Sequence, residues 1–226
     1  MSRVAVIIAA GGSGRRMGGV YKPLLELRGA PLLARSLAPF LARPDVHAII
    51  VALPQDLHAA PPAWLLADPR VRTVAGGAER DQSVRNALQA VPPDANVILV
   101  HDAARPLVSA EVVERCVAAA RAGRSVVAAV PVTDTIKRIA ADGTILDTPD
   151  RSLLRAAQTP QAFPAAVLRA AHAHAAATGI RATDDAALAA AAGHAVAVVD
   201  GAVENIKVTS RMDLAVAEIL LAGGDT

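Results

Sequence analysis

The sequence predicts an α/β protein, a three-layer sandwich with helices on both faces of a mostly parallel sheet. Short runs rich in Val and Ile recur along the chain, and Ala-rich stretches of helical period separate them. The runs are apolar throughout rather than alternating, as strands covered on both faces must be. At 226 residues, 53% hydrophobic and 19% charged, the chain can offset its ordering entropy by burial, and its length suits one domain over 1–226. In such a sheet ligands lie beyond the carboxyl ends of the strands, so the segments that leave those ends carry the function.

Taken in order, the Val- and Ile-rich runs place strands at 4–10, 47–53, 71–75, 96–101, 125–132 and 194–199. Helical periodicity places helices at 31–42, 81–91, 109–122, 164–177, 184–192 and 210–221. Gly123 after Arg121 reads as a helix stop, and Ser210 with Asp213 has the spacing of a capping box. One stretch departs from this rhythm. Two β-like pieces, 135–139 and 144–147, surround an Asp142-Gly143 turn, so a hairpin is inserted at about 133–152. A lone hairpin is marginal in water and must lie on something, which points to a second subunit.

Composition excludes several classes. A net charge of +2 and only four aromatics, Tyr21, Phe40, Trp64 and Phe163, leave neither the field nor the stacking platform of a nucleic-acid binder. The single cysteine, Cys116, excludes an internal disulfide and a cysteine metal cage, and reads as a small apolar filler on a helix. No apolar run reaches the roughly 18 to 20 residues that cross a bilayer, and the first lacks the pattern of a secretory leader, so a cytoplasmic protein without membrane contact is expected. Only three of the 23 basic residues are lysine, Lys22, Lys137 and Lys207, a hint that a compact ammonium is wanted at those places.

Three segments carry chemistry. The first strand runs into Ala9-Ala10-Gly11-Gly12-Ser13-Gly14-Arg15-Arg16, with Lys22 beyond, a Gly-rich loop whose amides and cations suit polyphosphate. Its spacing fails the P-loop, the dinucleotide fingerprint and the nucleophile elbow. The fourth strand runs into His101-Asp102-Ala103-Ala104-Arg105-Pro106, where Asp102 either holds Mg²⁺ against phosphate oxygens or pairs with Arg105, and His101 is structural rather than a base. In Asn205-Ile206-Lys207-Val208-Thr209, strand alternation puts Asn205, Lys207 and Thr209 on one face and the apolar pair in the core. Many cations, one placed acid and no base match phosphoryl-type transfer, where positioning and charge neutralisation dominate.

Together these segments resemble the 2-C-methyl-D-erythritol 4-phosphate cytidylyltransferase family. Further matching motifs are Gly76-Gly77 with Glu79-Arg80 and Ser83-Val84, Asp134-Thr135-Ile136-Lys137, Gln158-Thr159-Pro160-Gln161-Ala162-Phe163, and Thr183-Asp184. The resemblance implies a Rossmann-like nucleotidyltransferase fold, CTP as nucleotide donor, and attack by the methylerythritol phosphate on the α-phosphorus with loss of pyrophosphate. It further implies a homodimer whose hairpin is an exchanged dimerisation arm. On the matching positions it makes Arg16, Lys22, Arg151 and Lys207 the catalytic cations and Asp102 the Mg²⁺ ligand. Ala9, Ala10, Gly11, Gly12, Ser13, Gly14, Gly76, Gly77, Ser83 and Ala103 would bind the nucleotide. Arg105, Thr135, Thr159 and Thr183 would contact the sugar phosphate, with Thr135 and Arg151 reaching the neighbouring subunit's site. Two positions depart from the family: the Tyr21-Lys22-Pro23 string stands where Pro-Lys-Gln is frequent, and Ala78 stands where an acid is. A ribitol 5-phosphate cytidylyltransferase and a catalytically silent nucleotide binder on the same fold remain alternatives.

Overall fold

Residues 4–9 read Val-Ala-Val-Ile-Ile-Ala, a segment apolar on both sides, and they form the central strand of the protein. The computed structural model describes residues 3–11 and 21–223. Seven strands make the main sheet: β1 Val4–Ala9, β2 Val46–Leu53, β3 Val71–Ala75, β4 Val97–Asp102, β5 Ser125–Pro131, β6 Arg155–Pro164 and β7 Val196–Asp200. Seven helices accompany them: α1 Leu32–Leu41, α2 Gln55–Ala59, α3 Arg80–Ala90, α4 Ala110–Arg121, α5 Ala165–Thr178, α6 Asp185–Ala191 and α7 Arg211–Gly223. The strand order across the sheet is β7-β5-β6-β4-β1-β2-β3.

Within this sheet all pairings are parallel except those of β6, which runs antiparallel to both β4 and β5. Val4, Val6 and Ile8 point to one face, where Leu33, Leu37 and Phe40 of α1 and Val113, Cys116 and Val117 of α4 cover them. Ala5 and Ile7 point to the other, against Val84 and Leu88 of α3, Leu168 of α5 and Leu188 of α6. The three layers expected from continuous strand hydrophobicity are therefore present. Cys116 is the apolar filler it was read as, and burial pushes its thiol up to about 12.

The structure corrects the sequence reading in three places. β6 was not expected, because Pro160 and the polar Gln158, Thr159 and Gln161 argue against a strand. Its ladder with β5 is interrupted between Ala157 and Gln161, and the polar side chains in that gap find partners across the sheet instead of leaving the core. Residues 205–209 are irregular rather than extended: Asn205 is turned inward and fully buried beside Val208, while Lys207 stays outside. At the β7 edge the cover is partial on both faces: Val199 and Val196 are half-buried against opposite core clusters, and Val198 is 49% exposed.

The capping box at the start of α7 forms as its spacing required. Ser210 N donates to Asp213 Oδ2 at 2.7 Å and Asp213 N donates to Ser210 Oγ at 3.2 Å. The inserted hairpin is also present, shorter than expected, with Arg138–Ile139 pairing antiparallel to Ile145–Asp147. Gly143 turns it at φ +88°, a conformation that favours glycine, and Thr144 N donates to Asp142 Oδ1 at 2.9 Å.

Candidate active site

The segments leaving the carboxyl ends of β1, β3 and β4 meet at the edge of the sheet where a ligand crevice is expected. Ala10 N donates to Ala52 O at 3.0 Å, Gly76 N to Leu53 O at 2.7 Å and Ala103 N to Ala9 O at 3.1 Å, so the segments leaving the strands stay laced together for one more residue. Gly11 and Gly76 meet there backbone to backbone. A Cβ on Gly11 would lie 2.6 Å from Ser83 Oγ and 3.1 Å from Gly76 Cα, so neither position tolerates a side chain. Ser83 is 1% exposed; its hydroxyl accepts from Gly77 N and donates to Glu79 O, both at 3.0 Å, and shapes the Gly76-Gly77 turn. Gly12, Ser13, Gly14 and Arg16 lie outside the described residues.

Asp102 sits at the end of β4 with its side chain 9% exposed. Lys207 Nζ lies 2.8 Å from Oδ2 and Arg80 Nε lies 3.0 Å from Oδ1. Burial alone would raise this carboxyl, but the charges of Arg80 and Lys207 outweigh it and hold the group far below the usual carboxylate range. The alternative pairing with Arg105 is not made: that guanidinium donates to Asn205 O at 2.7 Å and Ala157 O at 3.2 Å. Lys22 lies in the short turn Lys22–Leu24, where Pro23 fits the first turn without needing an N–H. Its ammonium is lowered by burial and by the neighbouring charge of Lys207, with Asp213 and Asp102 pulling the other way. Lys22, Asp102 and Lys207, drawn from three distant stretches of chain, thus share one electrostatic environment.

Behind Asp102 stands a one-way chain of hydrogen bonds. Asp102 N donates to Thr159 Oγ1 at 3.0 Å, the Thr159 hydroxyl is 2.9 Å from His101 Nδ1, and His101 Nε2 is 3.1 Å from Arg105 O. Those partners make Nε2 the protonated nitrogen, because a carbonyl only accepts. Thr159 is 4% exposed and both functions of its hydroxyl are used within this chain, so it supports Asp102 from behind. His101 is fully buried, and burial lowers its pKa from 6.5 to about 4. The unfolded chain therefore binds the extra proton first, and stability must fall as pH drops from about 6.5 towards 4, by about 3 kcal/mol in all. Urea unfolding at pH 7, 5.5 and 4 checks this; His101→Gln should lose that part of the pH dependence, and an equal dependence in both proteins would contradict it.

The remaining expected residues that are described are not bonded to Asp102, Lys22 or Lys207. Arg151, in the turn Arg151–Leu153, donates to Thr133 O at 3.0 Å, and Thr135 and Thr183 are exposed. Among the described residues neither Thr135 nor Arg151 forms a hydrogen bond or ion pair with Asp102, Lys22 or Lys207. Thr183 directly precedes Asp184, which caps α6 by accepting from Ala187 N at 2.9 Å. Sequence reasoning assigned no role to Arg80, which appeared only inside a motif, nor to its partner Asp185, nor to Gln161, which holds the backbone of Asp185. The available signal for Asp185 was a charge within an otherwise Ala- and Leu-rich helix.

Among the described residues no group of three or more His, Cys, Asp and Glu side chains forms a metal cage. Asp102 offers one hard carboxylate whose two oxygens are paired with Arg80 and Lys207, so a divalent ion held there would take its remaining ligands from phosphate oxygens.

The chain matches the family model for 2-C-methyl-D-erythritol 4-phosphate cytidylyltransferase over residues 4–223. It is 46% identical to the protein of that name from Synechococcus sp. (strain WH7803), covering 96% of this chain and 98% of that one. The counterpart from Symbiobacterium thermophilum is 47% identical, over 96% and 92% of the two chains. Among solved structures, the 4-diphosphocytidyl-2C-methyl-D-erythritol synthase from Anaerococcus prevotii superposes with a TM-score of 0.87 at 30% identity, over 98% of this chain and 96% of that one. The Thermus thermophilus 2-C-methyl-D-erythritol 4-phosphate cytidylyltransferase gives 0.81 at 37% identity, over 96% and 98%. With its fold and nearly its whole length in common with these proteins, the chain belongs to the 2-C-methyl-D-erythritol 4-phosphate cytidylyltransferase family.

Proposed function

We propose that this enzyme joins CTP and 2-C-methyl-D-erythritol 4-phosphate to give 4-diphosphocytidyl-2-C-methyl-D-erythritol and pyrophosphate. The observation that carries it is the meeting of Lys22, Lys207 and Arg80 around the single carboxylate of Asp102. A phosphate oxygen of the alcohol substrate forms the new bond to the α-phosphorus, and the bond from that phosphorus to the β-phosphate oxygen breaks. No proton need be removed from a phosphate dianion, so no general base is required. The chain's task is to hold two anions together, and fixed cations in a partly dehydrated crevice do that at low reorganisation cost.

Lys22 and the cation expected at Arg16 neutralise the triphosphate, and Lys207 orients the attacking phosphate while its own position is set by Asp102. The 76–77 turn and the end of β1 offer backbone groups to base and ribose at a place where no side chain could intrude. Asp102 would hold a Mg²⁺ arriving with CTP, which screens the repulsion between the two phosphates. The site also extends beyond one subunit in this reading. The inserted hairpin leaves Ile139, Ile145 and Leu146 at 57%, 59% and 58% exposure and the turn after it leaves Leu153 at 82%, apolar surface that supports an exchanged arm in a homodimer, with Thr135 and Arg151 serving the neighbouring site. No described helix is long and apolar enough to cross a membrane, and a cytoplasmic enzyme with soluble substrates fits that.

Pyrophosphate release, measured with each of the four nucleoside triphosphates against methylerythritol phosphate, ribitol 5-phosphate and a hexose 1-phosphate, tests the reaction. Turnover should be confined to CTP with methylerythritol phosphate, be abolished by chelator and return with Mg²⁺; a preference for ribitol phosphate would replace the substrate assignment. Mixing Lys22→Ala with Arg151→Ala subunits tests the arm. Heterodimers should regain part of the lost activity through one intact composite site, and verified heterodimers without any rescue would exclude shared sites.

A further inference from the structure

Asp185 is a fully buried carboxylate that touches no crevice. Its Oδ2 lies 2.7 Å from Arg80 Nη1, and its Oδ1 lies 2.9 Å from Nε2 of His172, itself 4% exposed. Its backbone is fixed as firmly. Gln161 Oε1 accepts from Asp185 N at 3.0 Å and from Ala186 N at 2.9 Å, while Gln161 Nε2 donates to Asp184 Oδ2 at 2.7 Å. Gln161 belongs to β6 and pairs with Val100 of β4, so the start of α6 is bolted to the strands that present Asp102.

A buried charge of this kind is weak evidence for stability, since an apolar group of similar volume commonly serves as well. Its position suggests another role. Arg80 is a planar, rigid fork: Nη1 rests on Asp185 and Nε on Asp102 at 3.0 Å, two carboxylates gripping one guanidinium along different edges. Arg80 Nη2 is buried with no partner among the described residues, so these two contacts alone set its plane. Without Asp185 the guanidinium could swing about its bond to Asp102 and take that carboxylate with it. Burial opposes the ionised form of Asp185, but the charge of Arg80 and the contact with His172 keep it below the usual carboxylate range.

We propose that Asp185, anchored by His172 and Gln161, is a positioning residue for nucleotidyl transfer: it locks Arg80 in one orientation, and through Arg80 it fixes the carboxylate of Asp102 towards Lys207 and the reacting phosphates. The role rests on the cytidylyltransferase reading above. It links α6, whose preceding residue pair is Thr183-Asp184, to α3, which begins at Arg80 beside the Gly76-Gly77 turn. Asp185 itself contacts no substrate, so its loss must appear in kcat rather than in the binding of CTP.

Wild type, Asp185→Asn, Arg80→Met and the double variant decide the matter, each assayed for pyrophosphate release from CTP and methylerythritol phosphate. Asp185→Asn should lower kcat about tenfold, the scale of a sub-ångström misplacement, and leave KM for CTP within about twofold. In the Arg80→Met background it should cost nothing further. An unchanged kcat in Asp185→Asn, or a loss that persists in full without Arg80, overturns the proposal. His172→Gln frees only Oδ1 and provides a milder second variant should Asp185→Asn fail to fold; its smaller kcat loss must likewise vanish without Arg80. An inactive wild type would sink the functional reading instead, and the Arg80 Nε–H resonance then decides. Sharp and protected from exchange in wild type, it should broaden in Asp185→Asn, and an identical resonance in both overturns the positioning role.

Discussion

Replacing Lys207 by serine is expected to lower kcat about 10²- to 10³-fold while leaving the fold intact. Its side chain is 44% exposed beside Asp102, so removing it opens no core cavity. What it removes is a fixed cation where charge builds in the transition state, an interaction that usually costs about 3 to 4 kcal/mol of barrier when deleted. Asp102 keeps Arg80, so the carboxylate is not stranded, and the urea midpoint should move little. The loss should also be steeper than the change in KM for CTP, because the nucleotide retains Lys22 and the backbone of the 76–77 turn. Initial rates with both substrates varied, set beside an unfolding curve, check the two halves of this expectation. Near-normal turnover would remove Lys207 from the reaction.

Asp102→Asn should have the larger combined effect, with activity below detection and a loss of about 3 kcal/mol in unfolding free energy. The stability part comes from Arg80. Its side chain is 24% exposed, and losing one of its two carboxylates leaves half of a buried ion pair uncompensated, at roughly the 3 kcal/mol scale of a broken buried pair. The half-exposed Lys207 adds little to that figure, since water screens it. The sign of the pH effect follows. The native carboxyl is depressed below its unfolded value of 3.8, so its contribution is complete above that value and is lost as acid protonates the native group. The difference between wild type and variant should therefore be flat from pH 7 to about 5 and shrink only below about 4. A gap that closes between pH 7 and 5 would mean that His101 or another group, not Asp102, carries it.

Much of the site could be read along the chain because its parts sit where strands end. The Ala9-Ala10-Gly11 exit, Gly76-Gly77 and Asp102 each follow a Val- or Ile-rich run, and such runs announce themselves by composition. The helix signals of Ser210 with Asp213 and of Gly123 were legible for a similar reason, since capping is decided within four residues. β6 was not, because local rules count Pro160 and three polar side chains against a strand, while the sheet recovers them by long-range bonds donated by Asp102 N to Thr159 and by Asn205 to Gln158. The inward turn of Asn205 was hidden by the same cause: alternation assigns it to the face of Lys207, but buried amide partners on β6 pull it the other way.

The sequence by itself determined the layered α/β architecture, the positions of six of the seven strands of the main sheet and of every helix but α2 within a few residues, and which three stretches bring charge to the crevice. These follow from periodicity and from residues whose effect is short-ranged. Only the tertiary structure decided who partners whom: that Asp102 takes Arg80 and Lys207 rather than the nearer Arg105, and that Asp185, 105 residues from the Arg80 it holds, stands behind them. Ion pairs are chosen by distance in space and by the cost of leaving a buried charge alone, and neither quantity is written in the spacing of a chain.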